Sequence, residues 1–238
     1  MNKLILISIF VFSVGCAQRI KVPINRMISP EAIGGGVDLK YEQLGFSDAR
    51  LDFSNGETDN PLLMGSVSNR SLYMGFGVSE NADFFVKVPQ ESSSLVGLKV
   101  QLAGAPSKAR AEGHQLAFTV AVGAERDTFK GQFNIKLKSD VKDYSLIYGY
   151  RLNPMVLMYS SFSLGQYSFK GDIDDPNGLL LNDSISYRAN NIIGAQGGVE
   201  LGGDSFALQA EFGVQKLKWS DTPEKTLYFT AIALRTTF

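Results

Sequence analysis

Cysteine is almost absent from this 238-residue chain. Cys16 stands alone, so neither a disulfide scaffold nor a cysteine-based zinc site is open to it. Histidine is equally scarce: a single residue, His114, removes most histidine-centred metal and catalytic sites. No sign of charge dominates, because 23 Lys+Arg face 24 Asp+Glu for a net of −1. That balance lacks the basic surface a nucleic-acid partner requires. Long hydrophobic runs are missing as well. The longest, from Leu4 to Val14, is too short to cross a bilayer as a helix.

What the chain has is an address, many glycines and a persistent alternation. Lys3, the apolar run after it and the small residues Gly15-Cys16-Ala17 describe a secretory signal. Two processing sites stay open. Gly15 and Ala17 suit cleavage after Ala17, whereas Val14-Gly15-Cys16 resembles a bacterial lipobox that would make Cys16 the lipid-attachment residue, although Ser13 stands where such a motif usually has leucine. The expected organisation is a signal over 1–17, a linker over 18–30 and one domain over 31–238.

The body is written with period two. Phe206, Leu208, Ala210, Phe212 and Val214 alternate with Ala207, Gln209, Glu211, Gly213 and Gln215. Tyr144, Leu146, Tyr148, Tyr150 and Leu152 do the same, as do Leu116, Phe118, Val120 and Val122. Alternation at 180° per residue means strands with two unlike faces. It predicts strands near 33–42, 70–79, 83–89, 94–103, 114–125, 141–152, 155–169, 185–201, 205–219 and 226–238. Short and long connections alternate between them, as in an antiparallel up-and-down barrel that crosses a membrane. The connection 104–113 is long for a short-turn side. Phe133, Ile135 and Leu137 also alternate, so the count is about ten within a range of eight to twelve. The expected fold is therefore all-β, an antiparallel transmembrane β-barrel.

Charges fall on the parity opposite to the large apolar residues. They include Asp38, Lys40, Glu42, Asp83, Lys87 and Asp143, and also Lys99, Arg151, Arg188, Glu200, Glu211 and Arg235. The last six are the expected lumenal network. A balanced set in a narrow barrel pairs off, because an unpaired buried charge costs several kcal/mol. Aromatics such as Tyr41, Tyr144, Tyr167, Phe169, Tyr187 and Trp219 lie near the long-loop ends, with Phe84, Phe206 and Phe238 near the short turns. Two girdles flanking an apolar band are expected of such a barrel.

Tyr228, Thr230, Ile232, Leu234, Thr236 and Phe238 share one parity, and the chain stops on Phe238. This resembles the closing strand of bacterial outer-membrane barrels, whose terminal aromatic serves as a barrel assembly signal. As a pattern of strands the chain resembles the small OmpA/OmpW-like outer-membrane barrels. The resemblance implies a bacterial outer-membrane location, with the lipid bilayer and the barrel assembly machinery as partners. Some barrels of that kind are enzymes: omptin proteases, and lipid A deacylases and palmitoyltransferases. These use a histidine, and His114 lies on the outward parity at a short-turn end. Asp172, Asp174 and Asp175 meet the ligand needs of calcium only in part, and no helix follows Gly34-Gly35-Gly36 to make a phosphate loop. No enzyme activity, metal or cofactor is expected. The leading reading is an outer-membrane barrel with a structural or interaction role and a narrow, charge-paired lumen. A small porin or transporter is the alternative, and a periplasmic lipocalin-like lipoprotein the next.

Overall fold

The computed structural model describes residues 17–23, 27–52, 62–90, 92–130, 134–174, 183–220 and 223–238. Eleven strands account for most of it. They are β1 (Ala17–Pro23), β2 (Gly36–Asp52), β3 (Leu62–Ser79), β4 (Ala82–Pro89), β5 (Leu95–Ala103), β6 (Gly113–Lys130), β7 (Asn134–Asn153), β8 (Val156–Asp174), β9 (Asp183–Gly202), β10 (Phe206–Leu217) and β11 (Lys225–Thr237). Each of β2 to β11 pairs antiparallel with its sequence neighbour, and β2 also pairs with β11. The sheet is thus closed into a ten-stranded barrel, the architecture the alternation predicts. The described residues of 126–140 extend β6 and β7 rather than forming another hairpin: Arg126 pairs with Lys138 and Lys130 with Asn134, while Phe133 lies outside the described residues.

Period two sets which side chain faces where. On β7, Tyr144, Leu146, Tyr148, Tyr150 and Leu152 are exposed on the outer wall, while Asp143, Ser145, Ile147 and Arg151 are buried in the lumen. The rule repeats around the barrel. Large apolar side chains such as Leu98, Phe118, Phe162, Phe212, Ile232 and Leu234 are exposed, whereas Lys40, Glu42, Asp83, Lys87, Glu200 and Arg235 are at most 2% exposed. This inverts a soluble protein, in which charges are almost never fully buried.

The walls are of unequal height. β4 and β5 have 8 and 9 residues, but β7, β8 and β9 have 20, 19 and 20. About 9–11 residues suffice to cross a bilayer, so β6 to β9 extend well beyond the apolar belt on the long-loop side.

Two sequence expectations are corrected here by local geometry. Asn191 has φ 58°, and the β8–β9 register slips by one residue between the pairs Gly165↔Ile192 and Tyr167↔Ala189. The extra residue is a β-bulge, and asparagine tolerates its left-handed backbone. A slip of one residue exchanges the two faces. Arg188 is therefore exposed on the outer wall and is no member of a lumenal network. The second correction concerns Tyr167, Phe169 and Trp219, expected in a girdle. All three are buried inside, with Trp219 edge-on to the other two rings at 5.7 and 5.4 Å.

Residues 18–30, expected as a linker, contain most of β1 and the start of a buried run. Met27, Ile28, Ser29, Glu31, Ala32 and Ile33 are each at most 3% exposed. β1 pairs with the long-loop half of β2, from Ala17↔Asp52 to Pro23↔Phe46. The chain then descends through the lumen and reverses at Gly34, Gly35 and Gly36, whose φ values are 72°, 89° and 101°. Only glycine populates that backbone readily, and a Cβ on Gly36 would lie 2.3 Å from the carbonyl oxygen of Phe238. The wall strands β2 to β11 are thus preceded by a thread inside the barrel.

Candidate functional site

The lumen is a site built by inward parity and then filled. In its long-loop half the filling is apolar: Val22 and Ile28 join Leu137, Val141, Tyr167, Phe169, Leu217, Trp219, Leu227 and Phe229 in one buried cluster. In its short-turn half the filling is ionic, and Glu200 on β9 is its hub. Its carboxylate accepts from Arg235 at 2.9 Å, Arg110 at 3.2 Å, Arg151 at 3.3 Å and Gln209 at 2.8 Å. Each guanidinium has a second anion: Asp38 for Arg235 at 2.8 Å, Asp204 for Arg110 at 2.9 Å, and Glu31 for Arg151 at 2.5 Å. Charge-assisted bonds of this kind are about twice as strong as neutral ones. Two further pairs, Lys87–Glu42 and Lys99–Asp83, close at 2.8 Å each.

The threaded segment is held by backbone and side chain together. Arg151 grips the Glu31 carboxylate through two nitrogens, and Lys99 donates to the Glu31 carbonyl. Ala32 N–H donates to Gln101 Oε1 at 2.6 Å, and Ile33 N–H to Asp83 Oδ1 at 3.0 Å. Higher up, Lys40 donates to the Met27 carbonyl at 3.1 Å and lies 4.7 Å from the Tyr73 ring centre. Five wall residues, Lys40, Asp83, Lys99, Gln101 and Arg151, thus find polar partners on the segment itself.

The connection 104–113 seals the short-turn mouth. It forms a 3-10 turn at Ser107–Ala109 and folds inward, so that Ser107 N–H donates to the Ala32 carbonyl at 2.7 Å. Arg110, 7% exposed, also donates to the carbonyls of Pro154, Gly202 and Gly203. Its unusual length for this side of the barrel is thereby explained.

Of the network expected from sequence, Arg151, Glu200 and Arg235 come together as an ion-paired group, while Lys99 pairs with Asp83 and reaches that group only through the Glu31 carbonyl. Glu211 is buried in the lumen but stands apart, accepting from the Tyr159 hydroxyl at 2.9 Å with no ion pair to it among the described residues. Arg188 lies outside, as noted. Glu31 and Arg110 were missed because they sit outside the alternating strands, where parity assigns no direction. The legible signal was the apolar run Met27–Ile33 around Glu31, richer in large side chains than a linker requires. Phe238 is 73% exposed, and its backbone exchanges bonds with Val37 at 2.9 and 3.1 Å beside the barrel seam. His114 is exposed on the outer wall, its Nδ1 2.6 Å from the Tyr148 hydroxyl. Cys16 lies outside the described residues. Among those residues no cluster of metal-ligating side chains occurs.

The seam between β11 and β2 is only half made by those strands. Their ladder runs from Thr237↔Asp38 to Ile232↔Gln43, after which β1 takes over the same edge of β2. At the handover a shallow groove opens, lined by Gly45, Ser66, Val67, Ser68, Tyr228, Phe229 and Thr230.

The chain is similar to Ail. The structure of that attachment invasion locus protein of Yersinia pestis has a TM-score of 0.40 and 11% identity, covering 85% of this chain and 96% of that one. The same protein in complex with the heparin analogue sucrose octasulfate gives 0.36 and 13%, with the same coverage. No family model matches the chain, and no curated protein does.

Proposed function

We propose that the protein is a bacterial outer-membrane β-barrel with a structural or interaction role and no catalytic one, its lumen closed by its own N-terminal segment. The inverted distribution of side chains carries the membrane reading. On the described barrel strands the outward positions of the belt are apolar, small or uncharged, while eleven carboxylates and cations of the strands are buried inside. In water, 29 exposed large hydrophobic residues would make one continuous sticky band. In lipid that band is the transmembrane surface.

The filling of the lumen supports a closed barrel over an open pore. A ten-stranded wall is only slightly wider than the eight-stranded kind that side chains alone can fill, and here a backbone segment occupies the interior as well. The tall β6–β9 wall supports the interaction role, because it raises a broad sheet surface above the belt.

The test has two parts. Unboiled protein should migrate faster than boiled protein on a denaturing gel and stay in outer membranes after carbonate extraction; release by carbonate would overturn the barrel-in-membrane reading. Planar bilayers should then show no sustained conductance. Steady single-channel currents from the intact protein would replace the closed-barrel reading with the porin one.

A further inference from the structure

On the tall wall, β6, β7 and β8 place Arg126, Lys138 and Lys170 directly opposite one another in a single cross-strand row. All three are exposed, and all lie on the outward parity of their strands. Like charges directly opposite on neighbouring strands repel, and none of these three has an ion-pair partner among the described residues. The surrounding rows add to the imbalance. Lys136, Lys142 and Arg188 are also exposed there, against the carboxylates of Asp140 and Asp172. A chain with a net charge of −1 has thus gathered a cationic field on one face of one wall.

Height decides what anion could meet it. Tyr144 is the last exposed aromatic of the β7 belt, and Lys142 is the next outward residue. Lys138 lies six residues beyond Tyr144, about 20 Å along the strand at roughly 3.4 Å per residue. With a strand tilt of about 40°, the row stands on the order of 15 Å above the belt. A phospholipid headgroup layer is only about 5–7 Å deep, so its phosphates reach Lys142 and stop short of the row. An anion fixed higher in the same leaflet must be carried on a saccharide.

We propose that the row Arg126–Lys138–Lys170 binds the phosphorylated oligosaccharide headgroup of a glycolipid in the leaflet on the long-loop side. Lys142 meets the phosphates nearest the bilayer, and the row meets those on the sugars above. This rests on the membrane reading of the belt, and insertion into neutral phosphatidylcholine vesicles tests that reading separately.

The variant for the test is R126Q/K138Q/K170Q, all at exposed positions. In neutral detergent its thermal midpoint should rise above that of the unmodified protein, because the repulsion is gone. Lipopolysaccharide carrying phosphorylated core sugars should stabilise the unmodified protein and bind it about a hundredfold more tightly than the triple variant, at roughly tenfold or less for each cation near a charged surface. Core-dephosphorylated lipopolysaccharide should bind both alike. The gain should shrink as salt is raised. Equal binding of phosphorylated lipopolysaccharide by the two proteins would overturn the proposal. So would binding of a free polyphosphate, inositol hexakisphosphate, as tight as that of the glycolipid, since the row would then serve a soluble anion. Failure of either protein to insert into phosphatidylcholine would instead strike the membrane reading itself.

Discussion

Replacing Glu200 with glutamine tests the lumenal network at its hub. The amide keeps the size of the carboxylate and removes one charge from between Arg235, Arg110 and Arg151, now 2.9, 3.2 and 3.3 Å from it. Breaking a buried pair by removing one partner costs about 3–5 kcal/mol. Each arginine retains its second anion, so the lower end of that range, about 3 kcal/mol, is expected. For a chain of this size each kcal/mol moves a midpoint by roughly 2–4 °C, which gives a fall of about 6–12 °C. The assay is the loss of the fast-migrating folded band on a denaturing gel after incubation at stepped temperatures in detergent. E211Q is the internal comparison, because Glu211 accepts only the Tyr159 hydroxyl. Its loss should be about 1.5 kcal/mol, the low end for one hydrogen bond to a charged group, because the amide oxygen can still accept from the hydroxyl. If E200Q melts with the unmodified protein, the lumen is wet and the pairs are screened. If E211Q is the more damaging of the two, the hub has been placed on the wrong residue.

Deleting residues 17–33 should remove the thread and leave Arg151 and Lys99 without their Glu31 contacts; single-channel recording should then show current where the intact protein shows none. An epitope inserted before Gln18 should bind antibody on intact cells, because β1 pairs with the long-loop half of β2; binding only after permeabilisation would place the segment at the opposite mouth. Asn191→Val should cost about 1–2 kcal/mol, since a β-branched residue resists the left-handed backbone that Asn191 adopts at φ 58°, whereas Asn191→Gly should be close to neutral in the same gel assay. Equal midpoints for these two would show that the bulge relaxes without cost.

How much of this was legible without coordinates can be traced residue by residue. Alternation is a local property, so the sequence by itself indicated about ten wall strands and the direction of most side chains in their alternating parts, but it left 43–52 and 62–69, the long-loop parts of β2 and β3, as loop. Tyr144 to Leu152 face outward and Asp143 to Arg151 inward because a pleated strand leaves no other choice. The same rule failed at Arg188, where one extra residue at Asn191 exchanged the faces, and a bulge leaves no mark in a pattern of period two. Parity also named Glu200, Arg151 and Arg235 as lumenal without saying which would be the centre. That was decided by the tertiary structure, which set Arg110 from a folded-in turn and Glu31 from the threaded segment against them. Glu31 and Arg151 are 120 residues apart in the chain. Their meeting depends on closure of the barrel, the inward path of residues 27–33 and the reversal at Gly34–Gly36, and none of these is encoded by the local periodicity that wrote the walls.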